Sequence, residues 1–187
     1  MKRLYCIGDS NTYGYDPRSY LGSRYPESVR WTGILKQNGY DIINLGANGT
    51  CIPEKRDFPY YRRSLSSYKK GDLCFVMLGT NDILQHVDAE TTTEKMKAFL
   101  EDLLSHEFSV VLGIPVILRQ GAWVDAEELI DESIWLTEKY FVLAQNKGIP
   151  MADSRPWKVD LCFDGVHFTP EGHSAFAKGL MSVLEKL

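Results

Sequence analysis

The sequence predicts a parallel α/β/α sandwich, and three observations carry that prediction. Five short apolar runs rich in strand formers recur along the chain, at 2–7, 40–45, 72–78, 109–114 and 149–152. Stretches with a helical period separate them. The run Leu73-Cys74-Phe75-Val76-Met77-Leu78 contains no polar residue, as expected of a strand covered on both faces. Strand–helix alternation of this kind implies right-handed βαβ crossovers. Five strands then fit a flavodoxin-like three-layer sandwich whose parallel sheet has the order 2-1-3-4-5.

Each helix has its own signal. A helix is expected near 29–37, and a less regular one over 60–68. Met96, Phe99, Leu100, Leu103 and Leu104 follow the i, i+3, i+4, i+7, i+8 stripe of an amphipathic helix. Ile130, Ile134, Phe141 and Ala144 predict another, stopped near Gly148. The last is the clearest. Thr169 is placed to cap it, Pro170 to open it, and Phe176, Leu180, Leu184 and Leu187 to line one face.

Bulk properties narrow the function classes. The 187 residues suffice for one domain with a sizeable core, and no repeat, low-complexity tract or linker divides them. The formal charge is −4 and no basic run exceeds Arg62-Arg63 or Lys69-Lys70, which argues against a nucleic-acid partner. Neither a secretory leader nor a stretch long enough to span a membrane is visible. The four cysteines, Cys6, Cys51, Cys74 and Cys162, have no metal-ligand spacing. A cytoplasmic, reduced protein without metal or cofactor is the expectation.

The chemistry lies in the turns beyond the strand ends. Gly8-Asp9-Ser10 comes after the first strand, Asn44-Leu45-Gly46-Ala47-Asn48-Gly49 after the second and Gly79-Thr80-Asn81-Asp82 after the third; Asp164-Gly165-Val166-His167 precedes the last helix. In a parallel sheet such turns converge on one edge. Ser10 offers a hydroxyl, which needs a base before it can attack. His167 is the candidate base, since an imidazole titrates close to neutrality. Asp164, three residues earlier, can accept the other imidazole N–H and fix the tautomer. Gly46, without a Cβ, lets a backbone N–H approach a ligand. With the Asn81 amide and the Ser10 N–H it would complete a three-donor oxyanion hole. Asp9 is read as a cap for neighbouring amides. Tyr13, Trp123 and Phe163 are candidates for the pocket wall, because ester pockets are largely apolar.

These residues resemble the SGNH hydrolases, also called GDSL esterases and lipases. Ser10, Gly46, Asn81 and His167 match the four residues that give the family its name, and Asp164 matches its triad acid. The matching motifs run from Gly8 to His173. The resemblance implies a flavodoxin-like fold and hydrolysis of ester or thioester bonds without metal or cofactor. One departure is Asn11, where the family's nickname has leucine; that position carries no chemistry in the family mechanism. The stretches 11–17 and 24–31 are similar to the arylesterase and acyltransferase branch, whose members are small cytosolic esterases and often oligomers. The chain is shorter than that branch between 49 and 68 and around 119–123, where loops shape the acyl pocket and subunit contacts.

The expected activity is therefore a serine esterase acting on short acyl groups of small carboxylic esters, with acyl transfer as a competing outcome. Carbohydrate O-deacetylation, lysophospholipid hydrolysis and thioester hydrolysis would use the same machinery. A rival of another class is a flavin- or phosphate-binding module on the same sheet. Asp9 counts against it by placing a carboxylate where an anion would sit.

Overall fold

A computed structural model of the chain describes residues 3–19 and 21–187. Its five strands are β1 (Arg3–Gly8), β2 (Asp41–Asn44), β3 (Leu73–Met77), β4 (Val110–Ile114) and β5 (Met151–Asp153). They form one sheet in the order β2-β1-β3-β4-β5, with every pairing parallel. This is the expected order. The expected runs overreach by a residue or two at most ends, and Lys2 lies outside the described residues.

Alternation within the apolar runs sorts side chains to the two faces. Leu4, Cys6, Phe75, Met77 and Val111 face one way. There they pack against Trp31 and Leu35 of α2 (Trp31–Gln37) and Phe176 and Leu180 of α7 (Pro170–Leu184). Tyr5, Ile7, Cys74, Val76 and Leu112 face the other way. Their partners include Phe58 of α3 (Phe58–Ser64), Met96 and Phe99 of α5 (Ala89–Ser105), and Leu136 and Tyr140 of α6 (Glu127–Lys147). Two short helices, α1 (Ser10–Tyr13) and α4 (Thr80–Leu84), follow β1 and β3 directly; neither is expected from the sequence. They are too short for a hydrophobic period to register.

The capping signals hold. The Thr169 hydroxyl accepts from the Gly172 N–H at 2.9 Å, and Gly148 closes α6 in the left-handed conformation. The expected face of α6 is displaced. Its buried stripe runs through Leu129, Ser133, Leu136, Thr137, Tyr140, Leu143 and Ala144, whereas Ile134 is exposed. Ser133 and Thr137 sit in the core because their hydroxyls donate to the carbonyls of Ile130 and Ile134 within the helix. Leu104 and Leu187, expected on buried stripes, are exposed as well.

Candidate active site

The parallel sheet brings three strand ends and the loop before α7 to one edge. β1 ends at Gly8, and Asp9 caps α1 by accepting from the Asn11 N–H at 2.9 Å. Ser10 is thus the first residue of a four-residue helix, its backbone fixed by the cap and by the Gly14 turn that ends it. The 164–168 loop is built around a buried carboxylate. One Asp164 oxygen accepts the N–H groups of Val166 and His167, both at 3.0 Å, while the other lies 2.7 Å from His167 Nδ1. The opposite nitrogen, His167 Nε2, lies 2.9 Å from Ser10 Oγ. A hydroxyl, an imidazole and a carboxylate therefore stand in line, all buried.

Burial pushes the Asp164 carboxyl up, but the hydrogen bonds from the His167 ring, from the His167 and Val166 N–H groups, and the nearby imidazole hold it below its ordinary value. It stays ionised near neutral pH. Asp9 behaves oppositely. Burial raises its carboxyl to about 6, against the bond from the Asn11 N–H and the attraction of His167. An acid raised on folding keeps its proton in the native state while the unfolded chain releases it, so Asp9 costs stability as pH climbs from about 4 to 6. Asp9→Asn keeps a good cap and removes that cost, about 3 kcal/mol in full. Urea melts should show the variant gaining far more stability at pH 8 than at pH 4; an equal gain at both would contradict the burial argument.

A cavity of about 310 Å³ opens at this edge, lined by Ser10, Tyr15, Gly22, Asn48, Gly49, Asn81, Trp123 and His167. The Tyr15 and Trp123 rings meet the His167 ring edge-on, at centroid distances of 4.7 and 5.0 Å. Trp123 reaches it because its loop is sewn to the histidine loop. Arg119, Ala122 and Trp123 donate N–H bonds to the carbonyls of Gly165, Phe163 and Asp164. Asn81, on α4, lines the cavity while its Nδ2 donates to the Thr50 carbonyl at 3.1 Å, and among the described residues none accepts its second amide hydrogen.

Three expected residues are placed differently. Gly46 does not border the cavity, and its N–H donates to Asn44 Oδ1 at 2.9 Å. What it supplies is room: a Cβ there would lie 2.4 Å from the Tyr13 nitrogen, so α1 packs on bare backbone. Gly49 borders the cavity instead, at a φ of 69° that favours glycine. Among the described residues none accepts the N–H of Ser10 or of Gly49. Tyr13 lies outside the lining, with the Arg24 guanidinium over its ring at 4.2 Å, and Phe163 is an exposed neighbour of the loop. His173 is buried and also outside the lining, its Nδ1 accepting from the Trp31 N–H. Burial, Arg30 and His167 lower it to about 3, so it stays neutral.

Sequence reasoning does not single out Tyr15 or Gly49. Tyr15 stands in the motif after the serine without an obvious chemical role. Gly49 has a usable signal, since Asn48-Gly49 is a turn dipeptide just beyond a strand end. A cleft of about 460 Å³ beside Cys51 and Lys95 offers less chemistry. Its buried Asp82 is spent on the Ile52 N–H and on Lys95, and burial raises the Cys51 thiol.

The fold and this edge define a hydrolase of the SGNH type. Residues 6–175 match the model of the GDSL-like Lipase/Acylhydrolase family; the chain belongs to that family and is a carboxylic ester hydrolase. Among solved structures, the aryl esterase of M. smegmatis is 25% identical, with a TM-score of 0.85 and full coverage of both chains. A carbohydrate acetylesterase from Sinorhizobium meliloti is 22% identical, with a TM-score of 0.87 over 100% of this chain and 99% of that one. A lipolytic protein of the G-D-S-L family from Veillonella parvula DSM 2008 is also 22% identical, with a TM-score of 0.79 over the whole of both chains. The last two likenesses concern the fold. No curated protein matches the chain in sequence, and among the described residues no helix is long and apolar enough to cross a membrane.

Proposed function

We propose that Ser10, His167 and Asp164 form the catalytic triad of an esterase for short-chain esters of small alcohols. The observation that carries this reading is the line of two contacts, 2.9 Å from Ser10 Oγ to His167 Nε2 and 2.7 Å from His167 Nδ1 to Asp164. His167 takes the proton as Ser10 attacks the acyl carbonyl. Asp164 holds the imidazole in the tautomer whose Nε2 is free to accept, and steadies the imidazolium that forms. The tetrahedral oxyanion is received by the N–H groups of Ser10 and Gly49 and by the Asn81 amide, with Gly49 in the role that the sequence assigns to Gly46. His167 then returns its proton to the leaving alcohol, and water or a second alcohol releases the acyl group.

Because His167 protonates the leaving group, that group must sit beside Tyr15 and Trp123. Two rings flanking the imidazole favour a flat alcohol portion such as a phenol or a sugar face. The structural neighbours named as an aryl esterase and a carbohydrate acetylesterase agree with that preference. The acyl side is bounded by Asn48, Gly49 and Asn81, and the cavity of about 310 Å³ leaves room for a short chain. The same reading takes the chain as one hydrolase domain of the cytoplasm, working without metal or cofactor and without a nucleic-acid or membrane partner. Whether it assembles as a homo-oligomer is decided by light scattering.

A panel of p-nitrophenyl esters from acetate to decanoate, run beside acetylated xylan and an acyl-CoA, tests the substrate class. Acetate should give the highest kcat/KM, and a maximum at decanoate would refute the short-acyl assignment. Asn81→Ala should lower kcat on the best ester about 10²–10³-fold with KM little changed, as expected when one oxyanion donor is lost. A loss confined to KM would remove Asn81 from that role.

A further inference from the structure

The residue after the nucleophile is tied to the base. Asn11 is buried in α1, and its carboxamide spans the His167 loop. Asn11 Oδ1 accepts from the Phe168 N–H at 3.0 Å, and Asn11 Nδ2 donates to the Val166 carbonyl at 3.1 Å. One planar group thus grips the backbone immediately before and immediately after the histidine. It completes the bonding of the loop. The Val166 and His167 N–H groups go to Asp164, the His167 carbonyl accepts from the Cys162 N–H at 2.7 Å, the Phe168 carbonyl accepts from the Cys162 thiol, and Asn11 takes the Val166 carbonyl and the Phe168 N–H. The other side of Asn11 is anchored too, since its own carbonyl accepts from the Trp31 indole at 2.9 Å.

We propose that Asn11 is a positioning residue for the reaction: its side-chain amide fixes the His167 loop to the peptide that carries Ser10, and so sets the distance between base and nucleophile. The proposal rests on the assignment of Ser10 and His167 given above. The reading of this position as chemically idle does not hold. Leucine, the residue of the GDSL signature, can fill the space but can neither donate to the Val166 carbonyl nor accept from the Phe168 N–H. Both would then be buried without partners. The loop would shift to find others, and a displacement near 1 Å of a catalytic group is enough to cost about 10²-fold in rate.

The test compares wild type with N11L and N11D, each normalised to the fraction of sites titrated by a fluorophosphonate and assayed well below its melting temperature. N11L should lose about 10²-fold in kcat per titrated site, with KM changed less than about 3-fold and phosphonylation slowed in parallel. A merely structural role would lower the melting temperature and the titrated fraction but leave turnover per site alone; that result overturns the proposal. N11D keeps the bond from Phe168 but sets a second oxygen against the Val166 carbonyl once it ionises, with Asp9 and Asp164 adding like charge nearby. Its kcat/KM relative to wild type should therefore fall as pH rises from 5 to 8. A flat ratio within about 3-fold of unity overturns the proposal even if N11L does not fold. A wild type that is not labelled at Ser10 would overturn the triad assignment itself, and the proposal with it.

Discussion

Ser10→Ala should reduce kcat for ester hydrolysis about 10⁶-fold, the scale seen when a serine nucleophile is removed from a working triad. The expectation rests on how little else the hydroxyl does. Among the described residues Ser10 Oγ has one partner, His167 Nε2, while the cap of α1 is made by Asp9 and the turn after it by Gly14. Alanine is also the better helix former at that position. Stability should fall by about 1 kcal/mol, because the substitution breaks no cap but removes the buried hydrogen bond to His167 Nε2 at the cavity edge. The three proposed oxyanion donors survive the change, so KM should stay within a few-fold and a residual rate above the uncatalysed one should persist. Two measurements decide it: kcat on p-nitrophenyl acetate together with a thermal melt, and fluorophosphonate labelling with mass mapping of the adduct. Activity within tenfold of wild type, or label on another residue, would remove Ser10 from the chemistry.

The parts of this molecule that are legible in the sequence are those set by composition over a whole element. β3 is readable because Leu73 to Met77 is apolar on both faces, and the two clusters that receive its alternate side chains explain why. Ser10, Asn81, Asp164 and His167 are legible because a parallel sheet leaves strand ends few places to converge. The illegible parts depend on short-range geometry. Gly46 and Gly49 are three residues apart in one turn, and only coordinates show that one N–H is taken by Asn44 while the other borders the cavity. The α6 stripe misleads because Ser133 and Thr137 turn their hydroxyls onto their own helix and so count as core. Asn11 looks idle from its place in a motif, since its partners lie 155 and 157 residues away. Sequence patterns report burial well; they report hydrogen-bond partners only when those partners are local.

Asp164→Asn should be the second most damaging change at the site, costing about 10⁴-fold in kcat near neutral pH. The carbonyl of the new amide can still accept the Val166 and His167 N–H groups, which Asp164 holds at 3.0 Å. The loop therefore keeps its shape, and the damage falls on one proton. In wild type the oxygen 2.7 Å from His167 Nδ1 is an acceptor, so Nδ1 carries the hydrogen and Nε2 is left to accept from Ser10. In the variant an NH₂ group faces Nδ1, which must become the acceptor; Nε2 then carries the hydrogen and points it at a hydroxyl it can no longer deprotonate. The variant also loses a pH signature. Asp164 is held below its ordinary value in the folded protein, so its contribution to stability is present above about pH 4 and disappears as pH falls through the depressed value. Acid titrations monitored by circular dichroism should show that component in wild type and not in Asp164→Asn. A kcat within tenfold of wild type would mean that the carboxylate only shapes the loop and that the tautomer of His167 is fixed by something else.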